Sequence, residues 1–252
     1  MKTVVFGDIH GRSIWKDIMK LECDADRYVF LGDYLTSREN ISEEDQIKNL
    51  KELFDWADQM NKYTPGRVIL LRGNHDMQAL GYSWADCNPR FRSNYLHIPA
   101  NRDWFLEHTQ WVFVDGNDAF VHAGISKTWM QNNDLTAVED INNMPPSDVF
   151  GFTPCKLSDY TGDSVTQPPT WIRPWAFIYD AYGDYRYFVG HTSYSHVINI
   201  KDELMKYIND DEVNDKAKEM IKNLNDIYAC DTLGDKEYLV INDGVACVGK
   251  IE

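Results

Sequence analysis

No Cys-x-x-Cys pair occurs in this chain. Its five cysteines, Cys23, Cys87, Cys155, Cys230 and Cys247, stand alone and are odd in number. That usage indicates neither a zinc ribbon nor a disulfide framework, and it fits a reducing, cytoplasmic compartment. Long apolar runs are missing as well. Nothing approaches the ~18 residues of a membrane helix. The opening Met1–Phe6 run is too short for a signal peptide and is cut by Gly7-Asp8, so a soluble protein with no membrane contact is expected. Basic charge is scarce: 25 Lys and Arg face 40 Asp and Glu, a net charge of −15. General nucleic-acid binding is therefore disfavoured, because that affinity comes from cations meeting phosphates. A phosphate ligand would need local positive charge, which bound metal ions could supply. Internal repeats and low-complexity tracts are also absent.

What is present suits a folded domain. The chain has 252 residues, 43% hydrophobic and 26% charged. At that length a core forms without help from a structural metal, so a metal site would serve chemistry. A single domain, 1–252, is expected, with a charged helical insertion around 201–225. Thr3–Phe6, Tyr28–Leu31 and Val68–Leu71 read as buried strands. Ser13–Glu22 and Ser42–Asn61 between them read as helices. The second opens with Ser42 and Asp45, a variant capping box, and carries Ile47, Leu50, Leu53, Phe54 and Ala57 at helical spacing. Further strands are expected at Trp111–Val114, Ala119–His122, Arg186–Val189, Ile227–Cys230, Tyr238–Ile241 and Val245–Lys250, the last two joined by an Asp243-Gly244 turn. The fold class is α/β: two packed mixed sheets flanked by helices. Asn142–Pro174, rich in proline, reads as a surface loop.

The informative pattern is where polar residues fall. Strand-like runs end in Gly7-Asp8-Ile9-His10-Gly11, Gly32-Asp33, Gly73-Asn74-His75-Asp76, His122-Ala123-Gly124 and Gly190-His191-Thr192. Ligands of open α/β sheets bind beyond the carboxyl ends of strands. Five segments would thus deliver Asp, His and Asn side chains to one edge. Two divalent ions ~3.5–4 Å apart suit such a set, with an anionic ligand between them, for which Asp33 is the candidate. Imidazole and carboxylate donors favour manganese, iron or zinc.

In this order, D-x-H, G-D, G-N-H-D, V-H-A-G and G-H-T resemble the signature of the calcineurin-like metallophosphoesterases. The set spans Asp8 to His191. The resemblance implies that Asp8, His10 and Asp33 hold a first metal and Asp33, Asn74, His122 and His191 a second. Two divalent ions, manganese first and iron or zinc as alternatives, would be the cofactors. His75 matches the histidine that protonates the departing oxygen. Leu71-Arg72-Gly73-Asn74-His75, Trp171-Ile172-Arg173 and Asp231-Thr232 resemble the phosphoprotein-phosphatase branch, as does Ser193 in place of a second histidine after Gly190-His191.

One segment departs from that branch. The family's G-D-x-V-D-R-G is here Gly32-Asp33-Tyr34-Leu35-Thr36-Ser37-Arg38-Glu39-Asn40. Thr36 stands where an aspartate usually orients the histidine, and Arg38 comes one place late. Glu39 or Asp76 is a candidate substitute for the missing carboxylate. Arg72, Arg173 and Arg38 are the candidates for gripping phosphate, since a guanidinium donates two parallel hydrogen bonds. The implied function is hydrolysis of phosphomonoesters in a phosphorylated protein (serine/threonine or dual specificity) or a small molecule. The alternatives are a diadenosine-polyphosphatase-type nucleotide hydrolase, with Trp171, Trp175, Tyr179, Tyr182 and Tyr185 stacking a base, and a non-catalytic phosphate-binding protein.

Overall fold

The computed structural model describes residues 1–82, 93–146, 161–208 and 214–252. Two five-stranded mixed sheets are flanked by helices. The first holds β1 (Lys2–Phe6), β2 (Arg27–Phe30), β3 (Val68–Leu70), β9 (Glu237–Asn242) and β10 (Val245–Lys250), in the order β10-β9-β1-β2-β3. The second holds β4 (Val112–Asp115), β5 (Asp118–Val121), β6 (Arg186–Ser193), β7 (Ile198–Asn199) and β8 (Ile227–Asp231), in the order β4-β5-β6-β8-β7. β1, β2 and β3 run parallel in the first sheet, and β5, β6 and β8 in the second.

Alternation along the strands builds both layers of core. Val5, Val29 and Leu31 join Phe120, Phe188 and Cys230 in one buried cluster shared by the two sheets. Val4, Phe6, Tyr28 and Phe30 point the other way and pack with Trp15, Ile18, Leu50, Leu53 and Phe54 of the helices. Phe120 stacks on Phe188 at 4.9 Å, and Phe188 on Tyr228 at 5.1 Å, so the inner face of the second sheet carries an aromatic ladder. The Asp243-Gly244 turn is as expected: Asn242 pairs with Val245, and both turn residues take positive φ, 47° and 83°.

The long helix Glu43–Tyr63 begins at Ser42, whose hydroxyl accepts from Asp45 N at 3.1 Å. Its buried face contains Gln46 and Asn49, whereas the apolar pattern gave that place to Ile47, which is only half-buried. Hydrogen bonding explains the difference. Gln46 accepts from Ser37 N and donates to Ile41 O, and Asn49 accepts from Trp15 Nε1 and donates to Arg12 O. The helix therefore braces both N-terminal site loops. In the charged 201–225 stretch, Ile200–Met205 and Asp215–Lys222 are helical and residues 209–213 lie outside the described set. The expected loop at Asn142–Pro174 falls partly outside it too, as do Pro154, Cys87 and Cys155. No helix among the described residues is long and apolar enough to cross a membrane.

Candidate active site

Every polar cluster expected at a strand end converges on one pocket. Asp8 follows β1, Asp33 follows β2, Asn74 and His75 open a short helix after β3, and His122 follows β5. β6 differs from expectation. It continues through Gly190 and His191 to Ser193, with its register against β8 shifting between Val189 and Ser193. That irregularity puts His191 at φ 61° and turns its ring inward. His10 (φ 45°), Asp33 (φ 51°) and Thr36 (φ 67°) share this left-handed backbone. Non-glycine residues enter that region at a cost, and their concentration here marks a functional constraint.

The pocket has a cavity volume of about 290 Å³ and is lined by Asp8, His10, Asp33, Asn74, His75 and His191. His122 lies behind it, fully buried. Each of three imidazoles is tied by one nitrogen to a backbone carbonyl. His10 Nδ1 donates to Leu35 O at 3.1 Å, His122 Nδ1 to Leu31 O at 2.8 Å, and His191 Nε2 to Trp171 O at 3.0 Å. The opposite nitrogens, left with lone pairs, face acceptors. His10 Nε2 is 3.7 Å from Asp8 and 3.9 Å from Asp33, and His122 Nε2 is 3.5 Å from Asp33. Asn74 Oδ1 lies 3.0 Å from His122 Nε2 and 2.9 Å from His191 Nδ1. Lone pairs gathered in this way, each ring oriented by a carbonyl behind it, form a donor set for cations. Asp8, Asp33 and His122 meet within metal-binding distance, as do His10, Asp33 and His75.

Electrostatics agree with that donor set. Burial, with the charges of Asp231 and Asp33, pushes the Asp8 carboxyl well above its ordinary range, and burial, with the charges of Asp76 and Asp231, does the same to Asp33. Burial lowers His10 to about 4 and His122 to about 3, and holds His75 and His191 well below the ordinary value. Neutral imidazoles beside carboxylates that resist ionisation are groups a divalent cation satisfies together. Backbone approach is equally tight. A Cβ on Gly73 would sit 2.0 Å from Asp33 Oδ1, and one on Gly190 2.2 Å from Asp8 Oδ1.

Asp76 is fully buried and does not reach His75. It accepts from Asp33 N, Tyr34 N and Gly73 N, each at 2.8 Å, and so clamps two ligand loops together. Glu39 pairs with Arg12. Neither replaces the missing carboxylate: the contact with His75 Nδ1 is made by the Thr36 hydroxyl.

Among the arginines, Arg38 and Arg173 line the pocket, and Arg38 also lines the neighbouring cavity beside Ser37 and Asn40. Arg173 is held by His191 O at 3.2 Å and Thr192 Oγ1 at 3.0 Å. The structure does not bring Arg72 there. Its guanidinium bonds Thr109 and Leu106 O and lies over the Trp111 ring at 4.7 Å. Of the five aromatics considered for base stacking, only Trp171 lines the pocket, while Tyr182 and Tyr185 line a separate cleft. Arg12 and Asp231 line it without having been singled out as site residues. Arg12 directly follows the Asp8–Gly11 motif, and Asp231 ends a strand parallel to β6, so the strand-end rule could have found both.

A family model for calcineurin-like phosphoesterases matches residues 1–195. The chain belongs to that family. The phosphoesterase is thus a metal-dependent phosphoric-ester hydrolase, and its family works with a dinuclear divalent centre. Among solved structures it is similar to a cold-active protein-tyrosine phosphatase of a psychrophilic Shewanella species, with 17% identity and a TM-score of 0.61, over 99% of this chain and 77% of that one. It is also similar to a protein serine/threonine phosphatase from Saccharomyces cerevisiae, with 14% identity and a TM-score of 0.53, over 100% of this chain and 80% of that one. At such identities the likeness is one of fold. No curated protein sequence matches the phosphoesterase.

Proposed function

We propose that the pocket is a dinuclear metal centre hydrolysing phosphomonoesters, with phosphoserine, phosphothreonine or phosphotyrosine of proteins as the substrate class. Asp8, His10 and Asp33 would hold one ion, and Asp33, Asn74, His122 and His191 the other. Manganese is the preferred ion, with iron or zinc as alternatives. The observation that carries this reading is the set of three imidazoles anchored on Leu35 O, Leu31 O and Trp171 O, their free nitrogens turned to Asp8, Asp33 and Asn74.

Bound ions would supply Lewis-acid charge that activates water and neutralises the phosphoryl group. The remaining work falls to the protein. Arg38 and Arg173 grip phosphoryl oxygens, which suits their place on the pocket wall. His75, whose backbone N–H donates to Asp33 Oδ1 at 2.9 Å, gives a proton to the departing oxygen. His75 also stands within reach of a metal with His10 and Asp33. Asp8, His10 and Asp33 already provide three donors for that ion, which leaves the His75 ring for the acid role.

The test is turnover of para-nitrophenyl phosphate with added manganese, wild type against Asp33→Asn. Loss of the shared ligand should lower kcat by roughly 10²–10³-fold and remove metal from the purified protein. Equal rates in the two proteins would end this assignment. A phosphopeptide and a dinucleoside polyphosphate, assayed side by side, separate the phosphatase from the nucleotide hydrolase. Among the described residues Trp171 is the only Phe, Tyr or Trp that lines the pocket, which favours the former.

A further inference from the structure

Ser193 and Asp231 face each other across β6 and β8, and the proposed centre uses neither. Ser193 Oγ donates to Asp231 Oδ2, and Asp231 O accepts from Tyr194 N at 3.2 Å. Thr232, the next residue, is buried and donates its hydroxyl to Glu237 O at 3.0 Å. The Asp231 carboxylate is thus fixed at a strand end, 6% exposed, on the wall of the pocket. Gly7 brings it beside Asp8. A Cβ there would lie 2.0 Å from Cys230 O and 2.8 Å from Asp231 Cα, so only glycine lets the end of β1 close on the end of β8.

A buried carboxylate is costly unless a cation lies near. Arg12, which lines the same pocket, gives its guanidinium to Glu39 and Asp8 O. The Ser193 hydroxyl orients Asp231 without balancing its charge. Among the described residues, Asp231 also stands outside both groups of side chains that meet within metal-binding distance.

We propose that Asp231, oriented by Ser193, is a positioning residue for one of the two cations, the ion of Asp8, His10 and Asp33, whose charge it balances from outside the donor set. This rests on the dinuclear reading above. The choice of ion follows from the Gly7 contact, which sets Asp231 against the Asp8 loop, and from the ligands. That ion would have three protein donors against four for its neighbour, so it gains more from a further anion. Groups just behind a metal's ligands govern its affinity by roughly 10–100-fold.

The experiment titrates the metal-free protein with manganese, reading free Mn(II) by electron paramagnetic resonance, and measures Tm before and after loading. Wild type should bind two ions. Asp231→Asn, which keeps the shape and can still accept from Ser193, should weaken one ion by roughly 10–100-fold and leave the other near wild type. The Tm of the metal-free variant should match wild type or exceed it, because a buried charge is gone, while the gain on loading shrinks. Ser193→Ala, which keeps the charge but loosens it, should weaken the same ion by a smaller factor. His10→Ala and His191→Ala, each of which weakens a different ion, assign the effect. Adding Asp231→Asn should weaken the manganese that remains in His191→Ala and leave that in His10→Ala unchanged. Unaltered manganese binding in Asp231→Asn, equal weakening of both ions, or the reverse pattern in the double variants would overturn the proposal. So would a lower metal-free Tm with both affinities intact, the mark of a purely structural carboxylate. A wild type that takes up no divalent ion would sink the dinuclear reading itself.

Discussion

Asn74 Oδ1 stands 3.0 Å from His122 Nε2 and 2.9 Å from His191 Nδ1, while each ring spends its other nitrogen on a backbone carbonyl. An amide oxygen and two imidazole lone pairs cannot hydrogen-bond to one another. A cation among them would satisfy all three, and the carboxylates of Asp8 and Asp33 would close the set.

Metal loading should therefore be linked to pH through carboxylates, not histidines. His10 and His122, at about 4 and about 3, are neutral through the physiological range. Asp8 and Asp33 are raised in the folded state. Their contribution to the metal-free fold is complete below the unfolded carboxylate value and fades as pH rises through the raised one. A cation replaces those protons, so the stabilisation it brings grows in the same direction. Calorimetric titration with manganese near pH ~6.5, in buffers of different ionisation heat, should show proton release. The Tm gain from excess metal should exceed at about pH 8 its value at about pH 5, where saturation at 100-fold over Kd would amount to ~2.7 kcal/mol. A pH-independent gain without proton release would refute the linkage.

Asp76 should act as a clamp whose loss spreads to the metals. Its Oδ2 accepts from both Asp33 N and Gly73 N, and its Oδ1 from Tyr34 N. In Asp76→Asn either amide orientation turns an NH2 against a backbone donor. An unmet buried donor costs roughly 1–3 kcal/mol, and disturbed support for Asp33 should weaken metal affinity by roughly 10–100-fold. Thermal unfolding with and without manganese measures both, and a variant matching wild type in each would show that the clamp is dispensable.

Much of this arrangement was readable in the chain because its signals are local. Strand runs with residues of one type at their carboxyl ends, the Ser42 cap and the Asp243-Gly244 turn each follow from nearby residues. What escaped depends on distance in sequence. Gln46 and Asn49 look like solvated helix positions until the loops they brace, at Ser37 and Arg12, fold back on them. The Thr36 contact with His75 spans 39 positions. The bulge that turns His191 inward is a property of the β6–β8 pairing, which no single strand reveals.

Arg72 carries the sharpest such lesson, since its place beside Gly73-Asn74 suggested a phosphate ligand. Its direction is set by Thr109, Leu106 and the Trp111 ring, which draw the guanidinium away from the pocket. Arg72→Ala should lower stability by roughly 1–3 kcal/mol, because it abandons buried acceptors, and leave product inhibition by inorganic phosphate unaltered. Arg38 is exposed and lines the pocket. Arg38→Ala should change stability by no more than about 0.5 kcal/mol while weakening phosphate inhibition by roughly tenfold. Arg173→Ala should do some of each, because its guanidinium both faces the pocket and holds His191 O and Thr192. Paired measurements of Tm and the phosphate inhibition constant separate the three. Weakened inhibition in Arg72→Ala at unchanged Tm would return that residue to the substrate.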